Sequence, residues 1–228
     1  MEQRSSVVIM THKSSFTNRN KNFTNSTGGP SNSAMQRLFV ALPLPPHIKE
    51  ELRQWQLQNK SILPFRKWTH PEDLHITVQF LGDTSNEQLE QMKHHLASIK
   101  HAPFQLQLSK FGSFGPLAAP RILWASVSGE LQALTQLHKK VLEQTEKVGF
   151  IAEERRYQPH ITVARHYENV TNSNHLTKNA ADKATMNLQE ILHNSSLPTL
   201  EWQATEYTIM KTTLNKQPSY SVVHSFSL

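Results

Sequence analysis

Apolar positions along the chain switch between two periods, and the switches mark the elements. The run RLFVALP at residues 37–43 is short, apolar and closed by proline, which predicts a first strand. Pro45 and Pro46 then open a segment in which Ile48, Leu52, Trp55 and Leu57 form an apolar stripe to about Asn59, which predicts a helix. Residues 60–72 keep neither period and read as a loop. Residues 74–81 alternate as a strand, stopped by Gly82 and Asp83. Residues 85–99 return to helical spacing, with Ser85 as N-cap and Leu89, Met92 and Leu96 inside.

The second part of the chain follows a similar course. Residues 104–111 and 121–127 read as a strand pair across a connection rich in Gly and Pro. The longest helical pattern spans residues 130–148, with Leu131, Leu134, Leu137, Val141, Leu142 and Thr145 on one side and Gly149 as its stop. A strand follows over residues 158–165. The polar segment 167–197 carries a helix over 182–193, and residues 205–214 and 220–227 read as a closing hairpin. This order suggests two related halves. The predicted fold class is α+β, with two antiparallel β-sheets flanked by helices and a cleft between the halves.

Residues 1–36 are rich in Ser, Thr and Asn without sustained periodicity, and read as a disordered N-terminal extension before a folded region at 37–228. That extension holds four of the bases (Arg4, Lys13, Arg19, Lys21) and one acid, Glu2, so the body contributes only part of the net charge of +6. A mildly basic body suits a nucleic-acid substrate without requiring one. The chain has no Cys, which excludes disulfides and thiolate metal sites and makes the cytoplasm the expected compartment. No apolar run approaches the length of a membrane span. A monomer is the default expectation.

The candidate chemistry lies in a repeated tetrapeptide. His-Ile-Thr-Val occurs at residues 75–78 and again at 160–163, each time on a predicted strand. Strand alternation puts His and Thr on one face and Ile and Val on the other. Two such strands facing one another would bring together His75, Thr77, His160 and Thr162. Imidazoles can take a proton from a nucleophile and give one to a leaving oxygen near neutral pH, and hydroxyls can donate to phosphate oxygens. One copy of so short a motif would carry little weight; two in corresponding halves carry much more.

Arg165 and Phe80 each stand five residues after a motif histidine. Arg165 suits phosphate binding and Phe80 suits stacking on a base or filling core. Strict alternation points Arg165 away from the His160 face, so the proposal needs a twist or bulge. His70, His94, His95, His101, His138, His166 and His193 lack motif context and read as surface residues, with His166 bordering the cleft. No metal is expected, because no carboxylate or histidine stands at ligand spacing from His75 or His160.

At these residues the sequence resembles the two-histidine phosphoesterase superfamily, and within it the LigT-like RNA 2′,3′-cyclic phosphodiesterases. The likeness rests on RLFVALPLP, WTHPEDLHITVQFLGD, FGSFGPLAAPRILWASV and YQPHITVAR, and covers most of residues 37–228. It implies a bilobal fold with pseudo-twofold symmetry and metal-independent hydrolysis of RNA 2′,3′-cyclic phosphate ends to 2′-phosphomonoesters, with no cofactor. It also implies that His75 is the proton donor and His160 the acceptor, that Thr77, Thr162 and Arg165 hold the phosphate, and that 2′–5′ RNA linkages can be joined or split by the reverse geometry of the same in-line displacement. Small cyclic nucleotides, ADP-ribose cyclic phosphate and 2′–5′ oligoadenylate stay open as substrates, as does a nucleotide- or RNA-binding role without turnover.

Overall fold

The computed structural model describes residues 34–116, 120–168, 188–190, 192 and 200–228. Most elements form where the pattern places them. Strand β1 is Gln36–Pro43, helix α1 Pro46–Asn59, strand β3 His75–Thr84 and helix α2 Asn86–Ala97. Strands β4 (Phe104–Phe114) and β5 (Ile122–Gly129), helix α3 (Leu131–Glu146) and strand β6 (His160–Tyr167) follow. Strands β8 (Glu206–Thr212) and β9 (Tyr220–Ser227) close the chain. Ser85 caps α2 through a reciprocal pair, its hydroxyl accepting from the Gln88 amide while the Gln88 side chain accepts from the Ser85 amide.

Two strands escape the pattern. Strand β2 (Phe65–Trp68) lies in the expected loop, its FRKW too short and too weakly alternating to stand out; it forms because β6 offers it an edge. Strand β7 (Glu201–Ala204) is a four-residue partner of β4. The predicted helix over 182–193 falls mostly outside the described residues; Leu188, Gln189, Glu190 and Leu192 are helical within it. Almost all of the N-terminal extension also lies outside them.

The strands form one antiparallel system in the order β7-β4-β5-β6-β3-β1-β8-β9, with β2 also on β6. The two expected sheets are its halves, joined through the single pair Ile76↔Ile161 of β3 and β6. The half β3-β1-β8-β9 is not contiguous in sequence: β8 follows the second motif yet pairs with β1. The other half is drawn from residues 104–204, with β4 and β5 paired as the pattern predicts, except that β2 joins it on β6.

Helices α1, α2 and α3 cover one face. Ile48 and Leu52 of α1, Leu89, Met92 and Leu96 of α2, and Leu134, Leu137 and Val141 of α3 pack in one core with Ile76, Val78, Ile161 and Val163. The motif Ile and Val side chains therefore face the helices, which leaves the motif His and Thr on the opposite face. No helix among the described residues is long and apolar enough to cross a membrane.

Candidate active site

The Ile76↔Ile161 pair is the centre of the arrangement. Antiparallel register counted from it sets His75 opposite Thr162 and Thr77 opposite His160. Each histidine thus faces the other motif's threonine, as a local twofold axis through the pair requires.

Both motif strands then bulge at the same motif position. In β3, Phe80 and Gln79 pair with Phe39 and Val40, and the next pair is Thr77↔Ala41, so Val78 is the extra residue. In β6, Ala164 pairs with Leu123 and Thr162 with Trp124, so Val163 is the extra residue. Burial follows the bulges: Val78 and Gln79 are both buried, as are Val163 and Ala164, where alternation would expose one of each pair. A bulge shifts every later side chain to the other face. It is the device that brings Arg165 round, and Arg165 Nη2 donates to Thr162 Oγ1 at 3.4 Å. Phe80 is turned in the same way and stands 58% exposed beside Phe39.

The β6 bulge has its own support. The Val163 carbonyl accepts from the Thr69 amide at 2.9 Å and from Gln56 Nε2 at 3.0 Å. Gln56 is buried on α1 and also donates to the Thr69 carbonyl. A helix side chain thus satisfies the backbone group that the bulge exposes.

The rings are held alike. His75 Nδ1 lies 2.7 Å from the Asp73 carbonyl, and His160 Nδ1 lies 2.8 Å from the Gln158 carbonyl. A carbonyl can only accept, so Nδ1 carries the proton in both rings and Nε2 is the basic nitrogen when the ring is neutral. His75 Nε2 sits 3.0 Å from Thr77 Oγ1. The Tyr157 hydroxyl, three residues before His160, donates to the Thr77 carbonyl at 3.2 Å and ties the second lead-in to the first motif strand.

The walls differ. His75 is half-buried, its ring centroid 4.8 Å from that of Phe39 and 5.3 Å from that of Tyr220. This burial pulls the imidazole down from the usual 6.5 to about 4; the Asp73 carbonyl opposes the shift, while the charges of Arg165 and His160 add to it. His160 meets Phe114 edge-on at 5.0 Å and Trp124 at 6.1 Å. Trp124 lies flat over Gly112, where any Cβ would fall inside the indole ring, so only glycine lets this wall close.

Asp73 does two things. Its carbonyl orients His75, and its buried carboxylate accepts the Ser219 amide at 2.8 Å and the Tyr220 amide at 2.9 Å. It therefore fixes the β8–β9 connection, and with it the Tyr220 ring, against the first motif. The cleft enclosed there is lined by His75, Thr162, Arg165, Lys67, His70 and Tyr220, among others. Within it the structure gathers His75, Thr162 and Arg165, while Phe80 and His160 are not among its lining residues.

Sequence reasoning missed Asp73, Tyr220, Phe39 and Lys67. Asp73 had a signal, since it stands two residues before His75 as Gln158 does before His160. The aromatic walls had none, because they come from other strands. Two of the supposed surface histidines are placed otherwise: His70 lines the cleft, and His138 is partly buried, stacked on Tyr157 with centroids 3.9 Å apart. His193 lies outside the described residues. Among the described residues no group of three His, Asp or Glu side chains is placed to hold a metal ion.

Paired histidines and threonines, with an arginine brought in by a bulge, put groups able to move protons and to bind an anion on one face. The family described as LigT like Phosphoesterase matches residues 42–124. An RNA 2′,3′-cyclic phosphodiesterase of Geobacillus stearothermophilus is 32% identical over 192 residues, which cover 83% of this chain and 56% of that relative's length. One of Bacillus subtilis is 34% identical over 129 residues, covering 56% of this chain and 69% of the relative. Among solved structures, Escherichia coli LigT complexed with 3′-AMP superposes with a TM-score of 0.65 at 22% identity, over 86% of this chain and 99% of that one. The chain belongs to the LigT-like phosphoesterase family.

Proposed function

We propose that this protein hydrolyses RNA 2′,3′-cyclic phosphodiester ends to 2′-phosphomonoesters, with His75 and His160 as its acid–base pair. The observation that carries this reading is the twofold arrangement about Ile76 and Ile161, in which each imidazole has its Nδ1 proton held by a carbonyl and each histidine stands, by register, opposite the other motif's threonine. The names of the family relatives support the same reaction class.

The step balances with these groups alone. Neutral His160 takes a proton from water at Nε2, and the water oxygen attacks phosphorus in line with the 3′ oxygen. The bond from phosphorus to the 3′ oxygen breaks. Protonated His75 gives its Nε2 proton to that oxygen, leaving a 3′ hydroxyl and a 2′-phosphate. Thr77, Thr162 and Arg165 donate to the non-bridging oxygens as charge gathers there.

The low pKa of His75 shapes this assignment. At about 4 the ring is neutral in the free protein at pH 7, so it cannot yet donate. The substrate phosphate brings a negative charge beside His75, Arg165 and His160, offsets the two cationic influences, and raises the ring. His75 becomes an acid only with substrate in place. A 5′ hydroxyl in place of water as the nucleophile gives a 2′–5′ linkage at the same site, with the 3′ oxygen leaving as before.

The test is to incubate the protein with an RNA oligonucleotide ending in a 2′,3′-cyclic phosphate, with EDTA present, and to locate the product phosphate. A 2′-phosphate, lost in both His75→Ala and His160→Ala, is expected. A 3′-phosphate, or turnover retained in both variants, would sink the reading.

A further inference from the structure

A second groove opens directly from the catalytic cleft, and the chemistry above does not use it. It encloses about 850 Å³ of open space and shares Lys67, Trp68, Thr69, His70 and Gln217 with the cleft as common wall. Beyond that wall it runs past Arg53, Leu57 and Lys60 of the α1 end and Arg66 of β2. Four of its lining residues are Lys or Arg and none is Asp or Glu.

These cations are available. Lys60 and Lys67 join no ion pair among the described residues. Arg66 meets Glu168 only at 3.4 Å, with both side chains mostly in water, and Arg53 holds Glu50 on the helix surface. Such exposed pairs contribute little and exchange readily for another anion. Leu57, 57% exposed, gives the groove an apolar patch that suits the face of a ribose or base. A track of cations with an apolar step, continuous with a phosphate site, matches a single strand whose phosphates repeat along its length.

We propose that this groove binds the phosphates of the RNA strand that leads to the cyclic end, so that the protein selects an oligonucleotide end over a mononucleotide. The inference rests on the phosphodiesterase reading of His75 and His160, and adds to it where the rest of the substrate lies. Arg53, Lys60 and Arg66 line the groove but not the cleft, so they can be changed without touching the proposed catalytic groups.

The experiment measures binding of a fluorescent single-stranded RNA ending in a 2′-phosphate, by anisotropy across a salt series, to the full chain and to the Arg53→Gln/Lys60→Gln/Arg66→Gln variant. Adenosine 2′-monophosphate serves as the mononucleotide probe. The expected result is RNA binding weakened roughly tenfold or more, with a salt slope shallower by about 2, from three lost phosphate contacts at ~0.7 each. Mononucleotide affinity, and turnover of a mononucleotide 2′,3′-cyclic phosphate, should hold. RNA binding no tighter than mononucleotide in the unaltered protein would overturn the groove, as would RNA affinity unmoved in the variant, or equal losses for both probes. Absent turnover with groove-dependent RNA binding intact would instead count against the hydrolase reading and leave the groove standing.

Discussion

The two motif strands share four residues, a burial pattern and a bulge, yet present two unlike histidines. In both, His and Thr are half-buried, Ile and Val face the core, and the third residue after histidine is the bulged one. In both, the carbonyl two residues earlier holds Nδ1. The surroundings then part. His75 is packed between Phe39 and Tyr220, and burial lowers it to about 4. His160 borders Phe114 and Trp124. The fifth residue is Phe80 in one strand and Arg165 in the other. The repeat sets backbone and tautomer; the neighbours set proton affinity and charge. The lowering of His75 in the free protein makes its role as the acid depend on the charge that the substrate phosphate brings.

The sharpest way to break the comparison is to remove either ring. His75→Ala and His160→Ala should each lower kcat on a cyclic-phosphate RNA end by about 10³-fold, within the range for general acid–base groups. If only one matters, the pair is not an acid and a base. Thr77→Val and Thr162→Val should each cost about 10²-fold in kcat, the loss typical of one donor to a developing oxyanion. A large difference between the two would show that the twofold arrangement is not used evenly.

Asp73 is where the halves differ in support, because the residue at the matching place before His160 is Gln158, which carries no carboxylate. Asp73→Ala strands the Ser219 and Tyr220 amides and should lower unfolding free energy by about 2 kcal/mol in urea titrations. Arg165→Ala should raise KM roughly tenfold with a smaller change in kcat, the signature of a lost charge-assisted contact to phosphate made in ground and transition states alike.

The smallest effect concerns acid stability. His75 binds its proton less well folded, at about 4, than unfolded, near 6.5. The unfolded chain therefore holds the extra proton between these values, and stability falls as pH drops through that window. The loss from this group should be about 1–2 kcal/mol between pH 7 and pH 5, and His75→Gln should remove that share of the pH dependence in thermal melts. An unchanged pH slope in the variant would show that His75 is not the depressed group.

Much of this could be read from the chain. Helix α1 follows from its proline start and apolar stripe, and α2 from Ser85 and Gln88, because caps and helical spacing are local. The motif strands follow from period-two alternation, and their His and Thr faces with them. Strand β2 was hidden because four residues of FRKW have no pattern of their own and depend on the β6 edge. Arg165 fits the site by its chemistry, its place on the motif strand and the resemblance, against its alternation. The bulge that reconciles the two leaves no mark in the sequence, since its extra residue is an ordinary valine in both strands.

By itself, then, the sequence determined the helices, the motif strands, the duplicated His-x-Thr pairs and the face they share, since each depends on contacts within a few residues. Tertiary structure decided the pairing of β8 with β1, the meeting of the motifs at Ile76 and Ile161, and the aromatic walls that surround each histidine. These depend on which distant strands pair and on what packs beside each ring, and burial and electrostatics act through space rather than along the chain.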